Sequence, residues 1–455
     1  MTPLALLIFL GAIVLLVILI IAGVPIAFAL IATSVFGLAI AAGTGVAMSA
    51  LGGAAFNATA DYALAVVPLF VLMGAFAQRA GIAGDLFDVV ERNLRRLPGG
   101  LAIAGIGASA GFAAITGSSV ATVASIGKTA IEEMRAHGYS ARFAAGSIAI
   151  AGTLGIMIPP SVALVLYGVV TGTSIGQLLI AGIVPGVVSA LLYAGVAVVL
   201  AIRNPELVGK PPRKKASAAT ATPAPVQLPP FDKRKYFSVV KVIILFGVVI
   251  LGVYSGVYTA TEAGAIGAAA ALVMLLISKL RSGQGRIRAT ISALVESARM
   301  TSSVFLIVVG GAMLSFLMVT LGVPRAFAAW ASDLAVPGWV LIVIVLLAMV
   351  PLGMFLDSIS IILVFIPVVF PVIDALGYNP IVFGILAIKL IEIGMVTPPV
   401  GMNAFVIASS VPGVRAEDAF RGVLPFLLAD VIFVAVIMIF PDIVLFLPET
   451  MEATR

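Results

Sequence analysis

The chain has 455 residues, 62% hydrophobic and only 10% charged, a balance far from that of a soluble globular domain and typical of an integral membrane protein. Its net charge of +6 comes from basic residues spread over short loops, the pattern of a cytoplasm-facing surface and not of a nucleic-acid interface. There is no cysteine, which excludes disulfides, thiol catalysis and cysteine metal sites, and the one histidine, His137, lies in a polar turn where it reads as solvated.

At roughly 20 residues per spanning helix, apolar runs bounded by Gly, Pro or charge predict spans near 3–22, 24–43, 63–80, 141–170, 176–202, 237–256, 261–280, 290–321, 378–409 and 422–447. The first run, Leu4 to Ala22, has no basic stretch before it and reads as a retained helix, not a cleaved signal. In 82–97, Leu86, Val90, Leu94 and Leu97 recur at helical spacing, opposite Asp85, Asp88, Glu91, Arg92, Arg95 and Arg96. That predicts an amphipathic helix lying along the membrane. Its counterpart is 324–335, with Pro324 at the start and Phe327, Trp330 and Leu334 on one face.

Each of these arms leads into a run that fits neither one span nor two, 99–132 and 337–374. Both read as re-entrant hairpins of two half-length helices. The tips fall at Gly117-Ser118-Ser119 and at Asp357-Ser358. Segment 203–236, rich in Pro, Ala and Lys, reads as a disordered cytoplasmic linker; lipid binding by its lysines is the alternative. Arg92, Arg95, Arg96, Arg135, Arg142, Arg203, Lys210, Lys279, Arg286 and Arg415 fall on one side of the span list, which is therefore cytoplasmic. Both termini then face the periplasm.

Two segments repeat one another 239 positions apart (398 − 159 = 239), and each places a Pro-Pro inside an apolar run: Pro159-Pro160 and Pro398-Pro399. The same offset relates Pro98-Gly99 to Pro337-Gly338, Gly138-Tyr139 to Gly377-Tyr378 and Gly155 to Gly394. Adjacent prolines cannot continue a helix. Within a bilayer the freed backbone groups are tolerated only where protein or a water-filled cavity covers them. Matched interrupted segments point to the binding site of a secondary transporter. The expected fold is all-α, with two inverted repeats of about five spans and one hairpin each. Residues 1–202 form the first repeat and 237–455 the second, with broken helices at 141–170 and 378–409.

At the hairpin tips, Ser118, Ser119, Asp357 and Ser358 admit two readings. One is helix capping by short oxygen side chains. The other is cation binding, with sodium the candidate, because hydroxyl, carboxylate and carbonyl oxygens converge where a helix stops. Thr153, Gly155 and Ser161 flank the first break; Thr397, Gly401 and Asn403 flank the second. Half-helix N-termini attract carboxylates and C-terminal carbonyls attract cations, so one centre can hold an anion and its sodium ions together. Lys389 and Glu392, three apart on one face, read as an ion pair or as a contact to substrate or ion. Glu262 opens a span as its cap, and Asp430 lies in the last span without an assigned partner. Gly127-Lys128-Thr129 lacks the first glycine of a phosphate loop, and Gly105-Ile106-Gly107 with Gly111 reads as close helix packing. No enzyme motif occurs.

Gly111 to Ser119, Gly155 to Ser161, Thr259 to Ala265 and Ile393 to Asn403 together resemble the large membrane subunit of the tripartite ATP-independent periplasmic (TRAP) transporters, over essentially the full chain. The resemblance implies an elevator-type fold of the ion-transporter superfamily. It also implies sodium-driven import of a small organic acid such as a C4-dicarboxylate or sialic acid across the bacterial inner membrane. Its implied partners are a periplasmic substrate-binding protein and a small four-helix membrane subunit. No helices precede the first repeat, so an unfused large subunit is expected. Carried over by residue, sodium would bind at Gly117, Ser118, Ser119, Thr153 and Gly155, and at Asp357, Ser358, Thr397 and Gly401. Substrate would meet Ser119, Pro160, Ser161, Ser358, Pro399 and Asn403. Na+ is the expected coupling ion, with no organic cofactor. A stand-alone carrier of the same superfamily and a passive channel are the alternatives.

Overall fold

A computed structural model describes residues 2–209, 235–278, 285–333 and 337–453. Most of the predicted linker, the Trp330 side chain and Leu334 lie outside the described residues. The described residues are mostly helical, with one isolated antiparallel bridge between Tyr139 and Val208. The first helices are α1 (Pro3–Ile21), α2 (Ile26–Ala42), α3 (Thr44–Thr59), α4 (Val66–Arg79) and the arm α5 (Ile82–Leu94). They are followed by α6 (Gly100–Thr116), α7 (Ser119–Ala136), α8 (Ala141–Met157), α9 (Val162–Thr171), α10 (Ile175–Ala181) and α11 (Ile183–Arg203). Beyond the linker come α12 (Lys235–Tyr254), α13 (Ala260–Ile277), α14 (Arg286–Thr320), the arm α15 (Val323–Asp333), α16 (Gly338–Phe355) and α17 (Ser358–Ala375). The chain closes with α18 (Pro380–Met395), α19 (Met402–Ser410), α20 (Ala416–Ile439) and α21 (Asp442–Ala453). Among the described residues nine helices are long and apolar enough to cross a membrane, ten if α8 and α9, bent by 43°, count as one span.

Helix boundaries follow the 239-residue offset closely. Shifted by that amount, α7 begins and ends with α17, and α8 begins with α18. The reason is local: the same caps and breakers recur. Ser118 and Asp357 cap α7 and α17, and Ser140 and Asn379 cap α8 and α18.

Four expectations are corrected. Residues 44–59, absent from the predicted elements, form α3, because Gly43 at φ 94° turns the chain without ending its helicity for long. The hairpin arms are 17 and 18 residues, about 26–27 Å at 1.5 Å per residue, so they are longer than the half-length helices expected. The predicted span 290–321 belongs to the 35-residue α14, about 52 Å long and well beyond a ~30 Å hydrocarbon core. The last span, predicted as 422–447, is interrupted between α20 and α21, where Pro441 ends the hydrogen-bond ladder.

Glycines set the tightest crossings. Gly37 of α2 faces Leu317 of α14, and Gly310 of α14 faces Leu30 and the Ala27 carbonyl of α2. Gly146 of α8 and Gly422 of α20 meet backbone to backbone: a Cβ on Gly146 would lie 2.2 Å from the Gly422 carbonyl carbon. Any side chain there would force the two helices apart. Leu86 and Val90 of the arm α5 rest over Gly111 and Gly107 of α6, which confirms that glycine run as close packing. Polar contacts hold the same arm to α12, through Lys235 on Asp88 and Ser238 Oγ donating to Asp85 at 2.7 Å. On α4, Arg79 pairs with Glu296 of α14 at 2.6 Å.

Candidate functional site

Both interruptions have the predicted form. Helix α8 stops at Met157, Pro159 and Pro160 are joined by a cis peptide, and Ser161 caps α9 through the Leu164 N–H at 3.3 Å. In the second half α18 stops at Met395, Pro398 and Pro399 are likewise cis, and α19 begins after Gly401, whose φ is 54°. Threonine and serine hydroxyls answer the freed carbonyls. Ser161 donates to Ile156 O at 2.5 Å, and Thr397 donates to Ile393 O at 2.5 Å. The twins differ in surroundings. Residues Pro159, Pro160 and Ser161 are buried, while Pro398, Pro399 and Val400 are exposed.

The first hairpin tip is seated on the first break by two glycines. A Cβ on Gly117 would lie 2.4 Å from Pro160 O, and Gly117 also holds φ 61°. A Cβ on Gly155 would lie 2.4 Å from Ser118 O. That carbonyl accepts from Thr122 N at 3.1 Å and Thr122 Oγ1 at 2.8 Å. At the second tip, Asp357 caps α17: Oδ2 accepts from Ile359 N at 3.1 Å and Ser360 N at 3.4 Å, and Oδ1 accepts from the Ser360 hydroxyl. Capping is therefore one role that Asp357 performs. Gly401 N donates to Met354 O at 3.2 Å, tying the second break to the end of α16.

The two tips meet. A cavity of about 140 Å³ is lined by Gly117, Ser118 and Ser119 from one and Asp357 and Ser358 from the other. Ile156, Val162 and Ala163 flank the first break, Met395 ends α18, and Met300 comes from α14. Among the described residues its only charged lining residue is Asp357, and none of them is a lysine or arginine. The N-terminal ends of α7 and α17 both open onto it, so the positive dipole ends of two helices face one small space, with the Ala121, Ile359 and Ser360 N–H groups already taken by the caps Ser118 and Asp357.

Not every predicted residue lines that space. Pro160, Ser161, Thr153, Gly155, Thr397, Pro399, Gly401 and Asn403 do not. Thr153 Oγ1 donates to Ile150 O at 2.7 Å within its own helix. Asn403 is fully buried and bonds Ser119 across 284 positions: Asn403 Nδ2 donates to Ser119 Oγ at 2.8 Å and to Ala149 O at 3.1 Å. Met300 was not a sequence candidate, and a lone methionine in an apolar helix carries no signal that would have found it.

Three charged residues away from the cavity form a second centre with a tyrosine. Lys389 Nζ donates to Glu392 Oε2 and to Asp430 Oδ1, each at 2.9 Å, and to Tyr193 Oη at 3.1 Å. Tyr193 in turn donates to Asp430 Oδ2 at 2.7 Å. All four side chains are 0% exposed. The Lys389–Glu392 pair was legible from its spacing; Asp430 now has its partners, and Tyr193, in the middle of an apolar helix, was missed. Glu262 completes a capping box with Thr259, as its position suggested.

Comparison with known proteins gives concordant results. The profile described as "Tripartite ATP-independent periplasmic transporter, DctM component" matches residues 13–443. The C4-dicarboxylate TRAP transporter large permease protein DctM of Pseudomonas aeruginosa is 33% identical over 395 residues, covering 87% of this chain and 88% of its own. The sialic acid TRAP transporter large permease protein SiaM of Vibrio cholerae is 31% identical over 435 residues, covering 94% and 95%. The crystal structure of the Alcanivorax borkumensis YdaH transporter superposes with a TM-score of 0.60 over 88% of this chain and 90% of that one. At 16% identity that likeness speaks for the fold alone.

Proposed function

The chain belongs to the DctM component family of the TRAP transporters, as their large membrane permease, and on that basis we propose that it imports a small organic acid anion driven by sodium. It is a multi-pass membrane permease and not an enzyme. The substrate arrives from a periplasmic binding protein, and the small four-helix membrane subunit completes the assembly. The carboxylate substrates in the names of the relatives, C4-dicarboxylate and sialic acid, support the substrate class.

One observation carries the reading: two helix N-termini and one carboxylate converge on a cavity that, among the described residues, has no basic side chain. An anion there is held by the positive ends of the two helix dipoles. The remaining negative charge, with that of Asp357, calls for bound cations, and the carbonyls and hydroxyls around Gly117 to Ser119, Thr153, Gly155, Asp357, Ser358, Thr397 and Gly401 are hard-cation ligands. The recurrence of helix boundaries supports two inverted repeats, 1–202 and 237–455, joined by the 203–236 linker. The hairpins and broken helices would move as one body past α14 and its neighbours, in the bacterial inner membrane with both termini periplasmic.

The test is uptake into proteoliposomes holding this chain and its small subunit, with and without an inward sodium gradient and the binding protein. Uphill uptake that needs both is expected. Flux that sodium cannot drive uphill would identify a passive channel and overturn the proposal, and uptake indifferent to the binding protein would identify a stand-alone carrier.

A further inference from the structure

The charge count of the buried Lys389 cluster does not close. One ammonium faces two carboxylates, and Tyr193 is a hydroxyl donor, so the four side chains sum to −1 when both acids are ionised. No exposure to water offsets this, since each is 0% exposed. The two acids are unequal. Asp430 has both oxygens partnered, Oδ1 by Lys389 and Oδ2 by Tyr193. Glu392 has Lys389 on Oε2, while its Oε1 is buried with no hydrogen-bond partner among the described residues.

The surrounding elements do not supply the missing positive charge. Helices α16 and α10 contain no ionisable residue. Tyr167 of α9 donates its hydroxyl to Pro380 O at 2.7 Å. Arg142 of α8 and Glu417, Asp418 and Arg421 of α20 sit in the opening turns, where the last three pair with one another or with Arg415. Arg203 ends α11, Asp374 ends α17, and Asp442 and Glu449 lie on α21. None of these forms an ion pair with the cluster among the described residues.

Nor does the fold demand the charges. Under the 239-residue offset, Lys389 corresponds to Ile150, Glu392 to Thr153 and Asp430 to Leu191. The first broken helix reaches the same bend with a threonine hydroxyl on the Ile150 carbonyl. An ionised, unpartnered carboxylate oxygen in an apolar interior is among the most costly arrangements available to a protein, and taking up a proton removes that cost.

We infer that Lys389, Glu392, Asp430 and Tyr193 form a proton-binding site, with the proton on Glu392 Oε1, separate from the cavity between the hairpin tips. Protonation converts the Glu392 carboxylate into a neutral acid, the proton coming from water, and leaves a Lys389–Asp430 ion pair braced by Tyr193. The site then carries no net charge as its helices cross the apolar layer, and it ties the helix that leads into the second break to pH.

Infrared difference spectroscopy of the full chain in lipid nanodiscs reads this directly, through the carbonyl stretch of a protonated carboxyl. At neutral pH the band is expected in the wild type, absent in Glu392→Gln and retained in Asp357→Asn. Asp430→Asn provides a second variant that keeps Glu392: with one negative charge gone the cluster balances without a proton, so the band is lost there too. A band missing from the wild type, or surviving in Glu392→Gln or Asp430→Asn, overturns the inference. So does a band that fades as sodium chloride is raised at constant pH, which would make this a sodium site. Sodium-driven uptake measured in parallel tests the transport proposal independently, because the band is read without substrate, gradient or partner.

Discussion

Replacing Gly155 with alanine tests how the first hairpin tip is seated on the first break. The added methyl would lie 2.4 Å from Ser118 O, 2.7 Å from Ser118 C and 2.8 Å from Thr122 Oγ1. Ordinary contact begins near 3.4 Å, so the tip must retreat by about 1 Å (3.4 − 2.4). Two of the three obstructing atoms are backbone and cannot rotate aside. Overpacking of this kind costs about 1–3 kcal/mol. If the Ser118 carbonyl is a sodium ligand, that strain appears as weaker ion binding, and the half-saturating sodium concentration rises about 5- to 150-fold. The assay is sodium-dependent uptake in proteoliposomes, alongside thermal unfolding in detergent. Gly107→Ala is the control: its methyl meets only the Val90 side chain, at 3.2 Å, and uptake should change little. Uptake by Gly155→Ala with unaltered sodium half-saturation in a folded protein would refute the reasoning.

Asp357→Asn keeps a good helix cap, so stability should change by a few tenths of a kcal/mol or less while sodium dependence weakens; unchanged sodium activation would remove Asp357 from the ion site. Changing Pro398 and Pro399 together to alanine restores two N–H donors and should straighten the second break and abolish uptake, which near-normal transport would contradict. Lys389→Met leaves the buried Asp430 carboxylate without its cation and should cost about 3–5 kcal/mol, read as a lowered unfolding transition; an unmoved transition would show that the cluster is not buried as described. On the arm, half-buried Glu91 has its carboxyl held above the usual range by burial first, then by Glu133 and Asp88. A raised carboxylate disfavours the folded state as pH climbs through its folded value, so Glu91→Gln should be the more stable protein at neutral pH. The gain should stay under about 1 kcal/mol because solvent screens a half-exposed group, and it should vanish below pH 4.5; a gain that persists there would show that the carboxylate's charge is not its source.

Much of the architecture was legible because it rests on local rules. Hydropathy over about 20 residues marks spans, proline pairs mark breaks, and Ser118, Ser140, Asp357 and Asn379 mark helix starts through bonds spanning two or three residues. The 239-residue recurrence is likewise a property of the sequence, and it located both hairpin tips and both breaks. The Lys389–Glu392 pair was visible because it lies within one helical turn.

Tertiary structure alone decided what lies beyond a turn. It brought Ser119 against Asn403, Tyr193 against Asp430, and Met300 to the rim of the cavity. It also made the twins unequal, burying one Pro-Pro and exposing the other. These outcomes depend on where helices cross, and the crossings are set by close approaches such as Gly146 on Gly422, between residues 276 positions apart (422 − 146). Periodicity records which face of a helix is apolar but not which other helix covers it; that choice is made by the shapes that fit when distant segments pack.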